Sequence, residues 1–305
     1  MTRRPVLLLV NPVAGGKPAS GRPLADDPER LRPQALFSAL RDRGLEVELH
    51  EIGEGDDAEA LARVAADSGR DLVVGGGDGT VGRVAAALIG HEAAAMGILA
   101  LGSFNNMARG FGIPDTLDAA LDVIEAGETT RVDAGWVVRE GPGARAFFEA
   151  AGVGIDALGF LAAEMAERKG WMRAVRALLR GLRRRRTPMR ITLDGVAYRT
   201  GGPAVTVSNG PYHGAGFVVS ADADPTDGLL DVAVFHGMTR FEVIRYFLAV
   251  SRGKKRREPR IRQYQARRVE IVGMRRALPA HADGESVGVT PVTFEVRPQA
   301  LRIFR

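Results

Sequence analysis

The residues best suited to chemistry stand in three glycine-rich segments, each directly after an apolar run. They are Asn11-Pro12-Val13-Ala14-Gly15-Gly16-Lys17, Gly75-Gly76-Gly77-Asp78-Gly79-Thr80 and Gly102-Ser103-Phe104-Asn105-Asn106-Met107-Ala108-Arg109. Glycine lets main-chain N–H groups approach an anion without a Cβ in the way, and a helix N-terminus behind such a loop favours phosphate. Thr80 adds a hydroxyl that can meet a ligand or cap the following helix. Two common nucleotide motifs fit poorly. Gly16-Lys17 is followed by Pro18 and has no glycine five residues before Gly16, which excludes a P-loop. Gly77-Asp78-Gly79-Thr80-Val81-Gly82 has the spacing of a dinucleotide fingerprint, but no Asp or Glu lies between Glu92 and Asp115, where a ribose-binding acid belongs. Taken singly, each loop is equally well a tight strand-to-helix turn.

Two carboxylate pairs follow in the second half. Asp224-Pro225-Thr226-Asp227-Gly228-Leu229 offers hard oxygen donors to a cation, and it is also a turn sequence. Asp283-Gly284-Glu285 offers a base with a partner acid, and it is equally compatible with a hairpin turn. His213 and His281 have no paired His or Cys at ligand spacing and read as core-edge or surface residues. The chain has no cysteine, which excludes a disulfide framework, a Cys-ligated metal and a thiol nucleophile.

These segments need elements to position them. The runs Val6–Val10, Leu45–Leu49, Asp71–Val74 and Gly97–Leu101 read as strands, and Leu31–Leu40, Asp57–Asp67 and Val81–Ile89 as helices between them. The βαβαβαβ order predicts an α/β lobe with a doubly wound parallel sheet, whose strand C-termini gather the three loops on one edge. After about residue 130 the texture changes to short strands between Gly and Pro turns: Arg131–Val138, Ala146–Ala151, Arg190–Leu193, Ala204–Ser208, Leu230–Phe235, Val269–Val272 and Val292–Val296. That predicts a mainly antiparallel lobe, interrupted by helices at Leu158–Arg186 and Thr239–Ser251.

The overall charge of +5 hides an asymmetry. Residues 1–132 carry 13 Lys and Arg against 20 Asp and Glu, a net of −7, while residues 133–305 carry 29 against 17, a net of +12. The second half is therefore the one that faces a polyanion. From Arg168 to Arg190 there are ten basic residues and no acid, with Trp171, Met172, Val175, Leu178, Leu179 and Leu182 at helical spacing. This basic amphipathic pattern suits an anionic membrane surface, or a helix packed on the β lobe with a solvated arginine face. Arg252, Lys254, Lys255, Arg256 and Arg257 form a second cluster. Nucleic acid is not expected, because no binding module or row of stacking aromatics accompanies the charge. The five apolar residues Val6–Val10 are too few for a signal peptide or a membrane span, so a cytoplasmic location is expected.

In order along the chain, Asn11-Pro12…Gly15, Gly76-Gly77-Asp78-Gly79-Thr80, Gly102-Ser103…Asn105-Asn106-Met107-Ala108-Arg109, Gly154-Ile155-Asp156-Ala157, Ser208-Asn209-Gly210…Gly214-Ala215-Gly216, Asp224…Asp227-Gly228-Leu229 and Asp283-Gly284-Glu285 resemble the catalytic domain of the diacylglycerol kinase and sphingosine kinase family, in its soluble bacterial lipid kinase branch. The resemblance implies an NAD-kinase-like nucleotide-binding domain (1–132), a β-sandwich lipid-substrate domain (133–290) and a C-terminal segment (291–305) that returns to the first domain. It implies ATP as co-substrate, held by Asn11, Pro12, Val13, Ala14, Gly15, Gly76, Gly77, Asp78, Gly79, Thr80, Ser103 and Asn106. It also implies catalysis at Asp283 and Glu285, Mg2+ at Asp224, Asp227 and the Leu229 carbonyl, and a lipid hydroxyl as acceptor. The expected partner is lipid at an anionic membrane, met peripherally at its inner face, with room for a homodimer. The sequence departs from the family pattern at Asn106 and Phe104, where an acid and a small residue are common, and at Glu51, Gly82, Arg83 and Glu149. The shared fold keeps open a soluble NAD-kinase-like enzyme, and the departures at Asn106, Phe104 and Glu51 keep open a silent nucleotide-sensing protein at the membrane.

Overall fold

The computed structural model describes residues 4–14, 24–138, 144–154, 188–214, 216–250 and 258–305. The chain divides into two compact units, Met1–Asp133 with Pro298–Arg305, and Ala134–Arg297. Gly15, the amphipathic stretch Leu158–Arg186, Asp156 and the cluster from Arg252 to Arg257 lie outside the described residues.

In the first unit, β1 (Val6–Val10), β2 (Val47–Glu51), β3 (Asp71–Gly76) and β4 (Met96–Ala100) form a parallel sheet in the order β2-β1-β3-β4. Fully apolar β1, with all five residues buried, sits inside that order, whereas β2 alternates and forms an edge. The crossovers are α1 (Pro33–Asp42), α2 (Ala58–Asp67) and α3 (Asp78–Leu88), followed by a short α4 (Asn106–Gly110) and α5 (Leu117–Ala126). Asp57 caps α2 by accepting from Glu59 N and Ala60 N at 3.0 Å. The helix predicted from Leu31 begins at Pro33, whose fixed φ suits the first helical position, after a 3-10 turn at Pro28–Leu31. More consequentially, α3 starts at Asp78 rather than at Val81, so Asp78, Gly79 and Thr80 form its first turn.

β5 (Thr129–Val138) leads into the second unit, which holds two antiparallel sheets. One runs β14 (Ile261–Ala266), β13 (Leu230–Phe235), β10 (Ala204–Ser208), β7 (Ala150–Gly154), β16 (Pro279–Ala282), β17 (Glu285–Val289). The other includes β15 (Arg268–Gly273), which pairs with β8 (Met189–Leu193) and with the start of β18 (Val292–Phe304), while β8 pairs with β9 (Val196–Thr200). β6 (Arg145–Phe147) pairs with β5. Val153, Val205, Val232, Ile191, Ile271 and Phe294 fill the core between the sheets, where Phe147 meets Phe294 edge-to-face at 5.9 Å. A small hairpin joins β11 (Tyr212–His213) to β12 (Phe217–Val218). On a separate small core, α6 (Arg240–Val250) packs through Val243 and Tyr246, its entry fixed by a Thr239–Glu242 capping box.

The single strand predicted at Ala146–Ala151 is two strands. β6 ends at Phe147 in one sheet and β7 begins at Ala150 in the other, so the chain changes sheet at Phe148-Glu149. Because Phe294 is fully buried against Phe147, Phe294→Ala should lower unfolding free energy by about 3–5 kcal/mol, read as a shifted urea midpoint.

Candidate functional site

The three loops of the first unit follow β1, β3 and β4, and side chains tie them together. Asn11 Nδ2 donates to Thr80 Oγ1 at 3.1 Å, while Asn11 Oδ1 accepts from Val13 N and Asn11 N donates to Gly75 O. Thr80 is thereby a brace as well as a candidate ligand group, and it is buried. Asn11 is half-buried, Pro12 and Val13 are exposed, and Ala14 is half-buried, its N–H closing the turn onto Asn11 O.

Asp78 does something other than face outward. Its Oδ1 accepts from Met107 N at 3.0 Å, and the N–H groups of Asn106 and Asn105 also hold the carboxylate. It therefore caps α4 from the first turn of α3, joining the second loop to the third. Burial pushes its pKa up, and those N–H groups pull against the shift. Asn105 braces the third loop. It sits in the left-handed region at φ 52°, its Oδ1 accepts from Gly102 N at 2.8 Å, and its Nδ2 donates to Ala100 O and Gly102 O. An Asn just before a helix, after a Gly-Ser turn, was the available signal, since Asn adopts this backbone more readily than most residues. Asn106 is buried as the first residue of α4, Ser103 is half-buried and Phe104 is exposed.

The glycines separate into two classes. A Cβ on Gly102 would lie 2.5 Å from Gly77 Cα, so these two loops meet backbone on backbone and no side chain fits at Gly102, while one on Gly77 would press on Gly102 Cα at 3.2 Å. A Cβ on Gly79 would meet nothing within 4 Å. Gly79 is exposed in the first turn of α3, where N–H groups have no intrahelical acceptor, and so it faces the place where an anion can sit. Gly79 leaves open space in front of its backbone, whereas at Gly77 the neighbour is Gly102.

In the second unit, Asp283 and Gly284 form the hairpin turn between β16 and β17, at φ 44° and 80°. The turn reading and the carboxylate reading are thus the same structure. Asp283 Oδ2 accepts from Phe148 N at 2.7 Å, and Oδ1 accepts from Glu149 N at 3.0 Å and Ala150 N at 3.1 Å. Those N–H groups belong to the residues where the chain leaves one sheet for the other. The carboxylate fills the gap in the ladder. Burial pushes its pKa up to about 6, although the three N–H groups and Arg145 oppose the shift. Glu285 is exposed and ion-paired with Arg145.

Glu149 is buried and central. Its N–H donates to Asp283, its carbonyl accepts from Asn209 N and Gly210 N, and its Oε2 accepts from Gly214 N at 3.1 Å. One residue thereby fixes the Asp283 turn, the Ser208-Asn209-Gly210 turn and the loop at Gly214.

The proposed metal loop is a braced turn. Asp224 Oδ1 accepts from Thr226 N at 2.9 Å and Thr226 Oγ1 at 2.6 Å, and Asp227 Oδ1 accepts from Leu229 N at 2.8 Å. Asp227 Oδ2 accepts from Gln265 at 3.3 Å. Among the described residues no group of three or more His, Cys, Asp or Glu is placed to hold a metal ion. The donor chemistry nonetheless fits a hard cation. Asp231 has its pKa raised first by burial and then by the charges of Asp227 and Asp222, a concentration of negative charge that a divalent ion would relieve.

Residues 5–137 match the model of the diacylglycerol kinase catalytic domain, and residues 150–305 match that of the YegS C-terminal NAD kinase beta sandwich-like domain. The chain belongs to the diacylglycerol kinase family of bacterial lipid kinases. It is 29% identical over 277 residues to the "Diacylglycerol kinase" of Mycobacterium tuberculosis, covering 88% of each chain. It is 32% identical over 240 residues to the "Probable lipid kinase YegS-like" of Citrobacter koseri, covering 76% of this chain and 74% of that one. In fold it is similar to a diacylglycerol kinase from Bacillus anthracis, with a TM-score of 0.72 at 22% identity, covering 100% of this chain and 97% of that chain. It is also similar to yeast NADH kinase, with a TM-score of 0.51 at 12% identity, covering 99% of this chain and 83% of that one. The NAD-kinase-like α/β sheet and the antiparallel sandwich are the expected fold class. Among the described residues no helix is long and apolar enough to cross a membrane.

The two glycine classes give opposite expectations for stability. Gly102→Ala should lower unfolding free energy by about 1–3 kcal/mol, because the loops must separate to admit the methyl. Gly79→Ala should leave the thermal midpoint unchanged or raise it slightly, since Ala favours a helical turn by up to about 1 kcal/mol.

Proposed function

We propose that this protein transfers the γ-phosphate of ATP to the hydroxyl of a membrane lipid, diacylglycerol-like or sphingoid-like. The observation that carries the reading is Asp283. A carboxylate fixed by three main-chain N–H groups, with a pKa raised to about 6, is ionised at neutral pH yet basic enough to take a hydroxyl proton. Membership of a lipid kinase family over both units supports the chemistry.

In this reading the first turn of α3 at Gly79 and the loop from Asn11 to Ala14 hold the nucleotide phosphates through N–H groups, with Ser103 beside them. Asp78 and Asn105 keep those loops in register. Asp283 accepts the proton as the acceptor oxygen attacks phosphorus, and Glu285 keeps Arg145 beside the base. Asp224, Asp227 and the Leu229 carbonyl would hold a structural Mg2+, and Mg2+ accompanying ATP neutralises charge on the phosphates. The net of +12 over residues 133–305 supports peripheral association with an anionic leaflet through that half of the chain.

Protein incubated with ATP, Mg2+ and mixed lipid vesicles should yield phosphorylated lipid on a thin-layer plate. Absence of product from diacylglycerol, ceramide, sphingoid base and a bacterial lipid extract alike would overturn the reading. Gly79→Ala should raise the KM for ATP by about tenfold or more without loss of stability, as steric exclusion of a charge-assisted phosphate contact requires. The ionised form of Asp283 is the active one, so kcat/KM should rise with pH up to about 6 and level off above. The sign for stability is the reverse. A carboxyl whose folded pKa exceeds its usual 3.8 favours the protonated fold, so its contribution to stability falls as pH rises from about 4 to about 6 and is constant beyond. Asp283→Asn should lower kcat by about a hundredfold or more and remove the acid limb, while nucleotide binding by the first unit persists.

A further inference from the structure

Asp283 is held by main-chain groups, and those groups need holding in turn. Phe148 and Glu149 lie between β6 and β7 and belong to neither strand, so no ladder fixes the peptide unit that joins them. What fixes it stands on its far side. Asn209, 1% exposed and directly after β10, donates from Nδ2 to Phe148 O at 3.2 Å. Its own N–H donates to Glu149 O at 3.0 Å, and Gly210 N–H joins it there at 3.2 Å.

Each of the two peptide units is therefore bonded at both ends. The Phe148–Glu149 unit accepts from Asn209 Nδ2 and gives its N–H to Asp283 Oδ1 at 3.0 Å. The Glu149–Ala150 unit accepts from Asn209 N and Gly210 N and gives its N–H to the same oxygen at 3.1 Å. A carbonyl that accepts a hydrogen bond polarises its peptide unit and makes the N–H at the other end a better donor, by about 10–30% per bond in such chains. The two relays differ in what they ask of residue 209. Every residue except proline supplies the N–H, whereas the donor to Phe148 O is a side-chain amide.

We propose that Asn209 is a positioning residue for proton transfer, holding and polarising the two peptide units that present their N–H groups to Asp283, a role that rests on Asp283 being the base. It acts through those peptide units and not on the acceptor. Donors to a carboxylate favour its ionised form, so weakening the relay raises the pH at which Asp283 titrates. The other titratable groups on the surrounding elements are Arg145 of β6, Glu285 of β17, Glu149 with His213 at the Gly214 loop, and Asp231, which pairs with Ser208. All of them stay in place when only Asn209 is changed.

NMR titration of the full chain, with 13C at the Asp carboxyl carbons and 15N in the amides, reads this directly, the Asp283 signal being assigned by its loss in Asp283→Asn. Asn209→Ala and Asn209→Leu both keep the main-chain N–H and lack the side-chain donor, one leaving space and the other filling it. Both should move the Asp283 midpoint up from about 6, by about half a unit to one unit. At pH 6 that lowers kcat/KM by about two- to fivefold, while the plateau at high pH and the KM for ATP stay nearly unchanged. Ile191→Ala, a cavity in the other sheet of the unit, should lower the thermal midpoint without moving the titration. In the unaltered protein the Asn209 side-chain amide should shift with the same midpoint as Glu149 N–H, a measurement that needs no variant to fold. An unmoved Asp283 midpoint in either folded variant, an equal shift in Ile191→Ala, or an Asn209 amide indifferent to Asp283 ionisation would each overturn the proposal. The titration needs no turnover, so a shifted midpoint with no phosphorylated lipid would overturn the kinase reading and leave the relay standing.

Discussion

The first unit depends on one steric constraint: the main chains at Gly77 and Gly102 run against each other with no room for a methyl group between them. That contact brings the turn after β3 onto the turn after β4. Close approach of two backbones leaves polar groups in need of partners, and the neighbouring side chains supply them. Asn105 satisfies the main chain of its own loop, Asp78 reaches across to the start of α4, and Thr80 receives Asn11. Gly79 stays exposed in the first turn of α3, beside residues that these bonds hold in place.

The second unit solves a related problem with a carboxylate. Where the chain passes from one sheet to the other at Phe148-Glu149, three consecutive N–H groups turn to Asp283. A buried carboxylate is unfavourable unless it is hydrogen-bonded, and a broken strand ladder is unfavourable unless its donors find acceptors. Each defect answers the other. The residual imbalance, burial outweighing three hydrogen bonds, is what lifts the acid to about 6, above the usual carboxylate range.

Much of this was legible in the residues, and what was missed follows a pattern. Alternation of apolar runs with amphipathic stretches located β1 to β4 and their crossovers, because a parallel sheet buried on both faces has few other sequences available to it. β9 and β14 were missed because they are edge strands, rich in Arg, Gln and Tyr, with weak alternation. The start of α3 was placed three residues late because glycines at 77 and 79 read as loop, although the helix already includes Gly79. Asp78 read as a group that meets a ligand, whereas its partners lie about thirty residues further along the chain, a relation that no local spacing reveals. Asp283 stands out from its neighbours in sequence, whereas the N–H cradle around it is invisible there, since it is built from the main chain of residues 148–150.

The groups that hold the Asp283 carboxylate are peptide N–H groups of Phe148, Glu149 and Ala150, and every residue except proline supplies one. The cradle therefore asks nothing of side-chain type beyond the exclusion of proline, whereas packing does: Phe148, Glu149 and Ala150 are buried, and Glu149 also reaches the Gly214 loop. A substitution here that keeps the packing and is not proline leaves the three N–H groups on Asp283 in place.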